Sequence, residues 1–71
     1  MKRRDLVRTI EEAARARGVP WEFVRQGAEH EIWAIDGRTF SIPRHREIRE
    51  PTARAILKSM EKELGDRWWE S

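Results

Sequence analysis

His30 is the residue best suited to proton chemistry in this chain of 71 residues. It follows Gly27-Ala28-Glu29 and precedes an apolar run, so we expect it at the start of a β-strand. The chain has one other histidine, His45, and no cysteine, and an imidazole exchanges protons readily near neutral pH. RNA carries its own nucleophile, the 2′-hydroxyl, so a histidine that removes its proton beside cations that stabilise the phosphate is a sufficient cleavage site. A histidine that satisfies a hydrogen bond at the rim of a sheet is the simpler interpretation from spacing alone.

Basic residues that could hold a phosphate backbone occur at the start of the chain, on predicted strands, and from a predicted loop into a predicted helix. The candidates for RNA binding are Lys2, Arg3, Arg4, Arg25, Arg44, Arg46 and Arg54. The net charge is only +2, so the local pattern must account for any attraction to RNA. Because glutamates are interleaved with these cations, an ordinary solvated surface explains them equally well.

Other chemistries have little support in the residue pattern. Glu29-His30-Glu31 resembles a metal-ligand run, but neighbouring side chains on a strand point to opposite faces. No serine lies in a histidine and acid context that would indicate nucleophilic catalysis. We therefore expect no metal and no other cofactor.

The periodicity of apolar residues predicts an α+β fold with the order α-β-β-β-α. Apolar residues at helical spacing predict a helix over residues 4–17, and a second apolar stripe runs from Pro51 to Gly65. Strands are predicted at Trp21–Gln26, His30–Ile35 and Arg38–Ile42, with Asp36-Gly37 as a type I′ hairpin turn. An antiparallel three-stranded sheet with two helices on one face buries every apolar stripe and leaves the other face open.

The tryptophans allow two interpretations. Trp33 belongs to the core if Ile32 faces the open side of the sheet, which is the favoured arrangement; in the opposite one Trp33 could stack on a base. Trp68 and Trp69 are expected to fold back on the domain, although an apolar patch for a partner protein is a second interpretation.

Length and composition limit the organisation of the chain. Seventy-one residues make one domain, which we divide into residues 1–65 and a C-terminal tail, 66–71. The absence of cysteine favours a reducing cytoplasm, and no apolar run is long enough to predict a signal peptide or a membrane span.

Four motifs, taken in order, resemble the HicA family, the toxins of bacterial HicBA toxin–antitoxin modules. They are residues 1–6 (MKRRDL), 23–30 (FVRQGAEH), 40–48 (FSIPRHREI) and 52–58 (TARAILK). The resemblance extends from residue 1 to about residue 64. The family often has two glycines before its histidine, whereas this chain has Ala28 at the second position, where a left-handed backbone conformation is therefore disfavoured.

The resemblance implies a fold like the double-stranded-RNA-binding domain and a metal-independent endoribonuclease that cleaves mRNA. It implies that His30 is the catalytic residue and that a cognate HicB-like antitoxin binds and occludes the site. The free toxin is expected in the cytoplasm. The sequence does not determine its oligomeric state, and a monomer is the favoured interpretation. The alternative is a non-catalytic RNA-binding module of the same fold, which would use the same basic edge as a phosphate clamp.

Overall fold

The structure, a computed structural model, describes residues 1–70; Ser71, the last residue of the predicted tail, lies outside the described residues. The elements are α1 (Arg3–Arg17), β1 (Trp21–Gln26), β2 (His30–Ile35), β3 (Arg38–Pro43), α2 (Glu50–Ser59), α3 (Glu61–Leu64) and a 3-10 helix (Trp68–Glu70). The predicted α+β class and the order of helix, three strands and helix are confirmed.

Helix α1 ends in a Schellman motif, as its sequence indicates. Gly18 adopts a left-handed conformation with φ of 67°, which costs glycine little because it has no Cβ. Its N–H donates to the Arg15 carbonyl at 3.2 Å, and the Val19 N–H donates to the Ala14 carbonyl at 2.8 Å. These bonds occupy carbonyls that the end of a helix would otherwise leave free.

The sheet is antiparallel in the order β1-β2-β3, with β2 in the centre. Asp36 and Gly37 have φ of 51° and 85°, so both central residues have the positive φ of the predicted type I′ turn. The pairing of β1 with β2 shifts register between Phe23 and Arg25, which is a β-bulge.

The two faces of the sheet have different side chains. Ile42 is fully buried towards the helices, whereas Thr39 and Ser41 are exposed on the open face, as alternation predicts. Trp33 packs against the core and stacks on Trp21, with ring centroids 4.7 Å apart. Trp33 is therefore partly buried against the core, on the same side of β2 as Ile35, which agrees with the favoured interpretation rather than with a base-stacking residue on the open face.

The second apolar stripe forms two helices rather than one, because the helical conformation is interrupted at Met60. Met60 has φ of −99° and ψ of 8°, and α2 already begins at Glu50, one residue before Pro51. The carbonyl of Ser59 accepts a bond from Arg38 Nη2 at 2.6 Å, so a side chain occupies an acceptor that a continuous helix would use. This contact between β3 and the helix end could not be read from the apolar stripe.

One hydrophobic core lies between the sheet and the helices. Its largest fully buried side chains are Leu6, Ile10, Ile35, Ile42, Met60 and Leu64. Trp68 belongs to the same core, 5% exposed, and its Nε1 donates to the Leu57 carbonyl at 2.9 Å. The predicted fold-back of Trp68 is confirmed, and Trp69 is half-buried against the core. Along residues 1–70, none of the helices has the length and apolar character needed to span a membrane.

Candidate nucleic-acid interface

The first residues of the chain are joined to the loop after β3 by backbone hydrogen bonds. The Arg3 N–H donates to the Arg46 carbonyl at 2.9 Å, and the Ile48 N–H donates to the Met1 carbonyl at 2.7 Å. The Met1 ammonium group donates to the Ile48 carbonyl at 2.9 Å. These bonds bring together two basic segments that lie more than forty positions apart in sequence.

One acidic residue of the loop and one at the start of α2 hold the terminal ammonium group. Glu47 lies 3.0 Å and Glu50 lies 3.6 Å from the Met1 nitrogen. The hydrogen bond with Glu47 is the main cause that raises the pKa of this ammonium group above its ordinary value. These carboxylates therefore face the terminus, while the basic side chains of the same two segments line a pocket.

That pocket has a volume of about 340 Å³ and is lined by cationic side chains. Its lining residues are Lys2, Arg3, Arg4, Arg44 and Arg46. All five are among the candidates for RNA binding named from the sequence. Such a concentration of positive charge at a concave surface attracts phosphate groups.

Arg3, which lines this basic pocket, is held in place by two side-chain contacts. Its Nε donates to the Pro43 carbonyl at 3.0 Å, and its Nη2 pairs with Glu31 Oε1. The same Glu31 oxygen accepts from Trp33 Nε1 at 3.1 Å. Glu31 is not among the site residues predicted from the sequence, because alternation puts it on the helix-facing side of β2 without indicating that the start of α1 lies there.

Arg44 connects the pocket to the turn before His30. Its backbone N–H donates to the Glu29 carbonyl at 3.0 Å. Its guanidinium Nη1 donates to the carbonyls of Ala28 at 3.2 Å and Gly27 at 3.4 Å. The pocket and the turn that positions the histidine are therefore parts of one hydrogen-bonded unit.

His30 begins β2, pairs with Pro43 and is exposed. The Gly27 N–H donates to the His30 carbonyl at 2.7 Å, and a Cβ on Gly27 would approach that oxygen to 3.0 Å. Glycine is thus favoured at position 27, because a Cβ there would need the His30 carbonyl to shift by a few tenths of an ångström. Positive φ in residues 1–70 is confined to other positions, so Ala28 fits the turn without backbone strain.

The imidazole of His30 is available for an external partner. It makes no hydrogen bond or ion pair with the described part of the chain, and it lies on the face of β2 opposite Glu31. His30 is not one of the residues lining the basic pocket. A ligand that contacts both must therefore cross the end of the sheet, where Pro43 and Arg44 separate them.

The other basic candidates lie apart from the pocket. Arg25 is on β1 opposite Ile32, and Arg54 lines a mixed surface with Lys58 and several acidic side chains.

Arg38, which is not one of those candidates, forms a two-point ion pair with Glu63, at 2.7 and 2.8 Å, and lies over the Phe40 ring. That pair raises the pKa of Arg38 and lowers the pKa of the Glu63 carboxyl.

Within residues 1–70 there is no group of three or more histidine, aspartate or glutamate residues that could hold a metal ion. Comparison with family models, with curated proteins and with solved structures finds no match. The interpretation of the site therefore depends on its own geometry and on the motifs of the sequence.

Proposed function

We propose that the protein is an mRNA endoribonuclease, the toxin component of a toxin–antitoxin module, as its sequence resemblance to the HicA family implies. The observation that supports this proposal best is the basic pocket, because one of its lining residues, Arg44, is hydrogen-bonded to the turn that positions His30. Cleavage of RNA by its own 2′-hydroxyl needs a general base and cations that bind phosphate. An accessible imidazole and a group of basic side chains at one end of the sheet can supply both.

In the proposed reaction, His30 accepts the proton of a ribose 2′-hydroxyl. The 2′-oxygen forms a bond to the adjacent phosphorus, and the bond from that phosphorus to the 5′-oxygen breaks. The 5′-oxygen takes a proton from solvent, so the products carry a 2′,3′-cyclic phosphate and a 5′-hydroxyl. Arg44 and Arg46 hold neighbouring phosphates of the backbone in the basic pocket, so that the RNA crosses the end of the sheet and presents a ribose to His30.

Partners and location belong to the same proposal. A HicB-like antitoxin would bind over the exposed His30 end of the sheet and exclude RNA. We place the protein in the cytoplasm, where mRNA is available, as a free monomer.

The test compares two exposed histidines. His30→Ala and His45→Ala are expressed in a bacterium without antitoxin, and the purified proteins are incubated with RNA in EDTA. His45 is the matched control because it lines a separate surface beside Ile48 and Arg49. We expect growth arrest and cyclic-phosphate fragments with the parent protein and with His45→Ala, and neither with His30→Ala. Equal cleavage by His30→Ala would remove His30 from the mechanism.

A non-catalytic RNA-binding module is the second candidate, favoured by the separation of His30 from the lining of the basic pocket. It predicts that the parent protein retards intact RNA in a gel and produces no fragments. If the parent protein produces fragments with a cyclic phosphate and His30→Ala produces none, this candidate is excluded.

A further inference from the structure

The basic pocket differs from an ordinary small-molecule site in the chemistry of its walls. Its volume of about 340 Å³ is at the small end of the range for ligand pockets, roughly 300–1,000 Å³. Such pockets are usually lined by apolar and aromatic side chains, whereas this one is lined by basic residues. The charged groups of this lining favour a compact and strongly anionic ligand.

Most of the positive charge in the pocket has no partner within the protein. The side chains of Lys2, Arg4 and Arg46 form no hydrogen bond or ion pair within residues 1–70. Arg44 uses Nη1 on neutral carbonyls, and Arg3 alone is paired with a carboxylate, that of Glu31. The pocket thus retains the charge of four cations at one concave surface.

Two of the five lining side chains, and the backbone that carries the others, are held in place before any ligand arrives. Arg3 is fixed by Pro43 and Glu31 and does not use its Nη1 group, and Arg44 is fixed by the turn carbonyls. The backbone bond between Arg3 and Arg46 holds the two basic segments together. Cations that are held close together repel one another, so an anion that binds between them relieves that repulsion.

An internal stretch of RNA can pair with these cations, but it places less negative charge inside the pocket than a polyphosphate does. A whole ribose separates successive phosphates of RNA, and each contributes a single negative charge. In a polyphosphate chain one oxygen bridges neighbouring phosphorus atoms, and the terminal group adds a charge of about −1.5 to −2 near neutral pH. A polyphosphate therefore places more charge in the same volume.

We propose that the basic pocket binds a terminal polyphosphate, either the 5′-triphosphate end of an RNA or a free nucleoside triphosphate. This proposal depends on the proposed function only in taking phosphate as the ligand of the pocket. In the first case the pocket anchors a 5′ end near His30; in the second it gives the protein a nucleotide-binding site that competes with RNA.

The test measures binding by calorimetry at constant ionic strength in EDTA, with inorganic phosphate, pyrophosphate and tripolyphosphate. We expect affinity to rise about tenfold with each added phosphoryl group, because each adds charge-assisted hydrogen bonds. Equal affinity for phosphate and tripolyphosphate would overturn the proposal. Arg4→Gln and Arg46→Gln should each weaken tripolyphosphate binding about tenfold, and both variants should fold because neither side chain has a partner in the protein.

Arg15→Gln is the matched control, since it removes the same charge from the far end of α1. Arg15 lies about 16 Å along the helix axis from Arg4, beyond a Debye length of about 10 Å at 0.1 M salt. Its tripolyphosphate affinity should equal that of the parent protein. An equal loss in Arg15→Gln and Arg46→Gln would show that general charge, rather than the pocket, is responsible and would overturn the proposal.

Two further arms identify the source of the polyphosphate. If the RNA end is the ligand, a 5′-triphosphate oligonucleotide binds at least tenfold more tightly than the same oligonucleotide with a 5′-hydroxyl, and ATP binds no more tightly than tripolyphosphate. If a nucleotide is the ligand, ATP binds more tightly than tripolyphosphate. Cleavage is measured separately with His30→Ala, which should keep its tripolyphosphate affinity, so failure of the ribonuclease proposal is distinguishable from failure of this one.

Discussion

Substitution of Glu31 allows a test in which the free energy of unfolding falls while the salt dependence of RNA binding increases. Glu31→Gln keeps the shape of the side chain and an acceptor for Trp33, but removes the charge that pairs with Arg3. The two charged side chains are 23% and 20% exposed, so solvent screens the pair only in part. We expect the free energy of unfolding to fall by about 1–2 kcal/mol, towards the low end for a hydrogen bond between charged groups. In a domain of 71 residues the melting temperature should then fall by roughly 7–13 °C.

The same substitution should strengthen the dependence of RNA binding on salt, because it leaves Arg3 free to neutralise a phosphate. For single strands the slope of log affinity against log salt is about −0.7 per neutralised phosphate. The four uncompensated cations of the basic pocket give a limiting slope of about −2.8, and a fifth gives about −3.5. Between 50 and 200 mM salt the limiting loss of RNA affinity is then about 50-fold for the parent protein and about 130-fold for Glu31→Gln.

The assays are urea unfolding and RNA binding by fluorescence anisotropy across that salt range. Glu22→Gln is the control: it makes the same change on an exposed β1 residue that has no ion pair in the described chain. The control should keep both the stability and the slope of the parent protein. A slope for Glu31→Gln no steeper than that of the parent would refute the view that Arg3 is a compensated member of the pocket.

Two other predictions concern the fold. Trp68→Ala should lower the free energy of unfolding by about 3–5 kcal/mol, because it empties a core position 5% exposed, while Trp69→Ala, at a half-buried position, should cost less in the same urea titration. Arg38 lowers the pKa of Glu63, so the stability from this pair is present above the ordinary carboxyl pKa and is lost as pH falls through the lowered value. Glu63→Gln should therefore be less stable than the parent at neutral pH and lose less stability between pH 7 and about pH 3; an equal loss in both proteins would contradict this assignment.

Local signals in the sequence were strong enough to predict the secondary structure closely. The bounds of β1 and β2 agree with prediction, since aromatic and β-branched runs are bordered by turn residues. The type I′ turn follows from Asp36-Gly37, in which both residues tolerate positive φ. The break at Met60 was not predicted, because it coincides with a contact from Arg38, a residue distant in sequence.

Candidate site residues were named from the sequence by type alone, and their grouping was not determined there. Five of the seven RNA-binding candidates line one pocket, while Arg25 and Arg54 lie elsewhere. No local pattern distinguishes these two from the rest, because an exposed arginine has the same sequence signal wherever the fold places it.

The sequence by itself determined the elements, their order, the turn at Asp36-Gly37 and the position of His30 at the start of β2, because these depend on periodicity and local backbone preference. Only the tertiary structure decided that the first residues of the chain pair with the loop at Arg46. Only it decided that Glu31 compensates Arg3 while the remaining cations of the pocket stay uncompensated. These features depend on contacts between segments far apart in the chain, and such contacts form only when the core brings the sheet and α1 together.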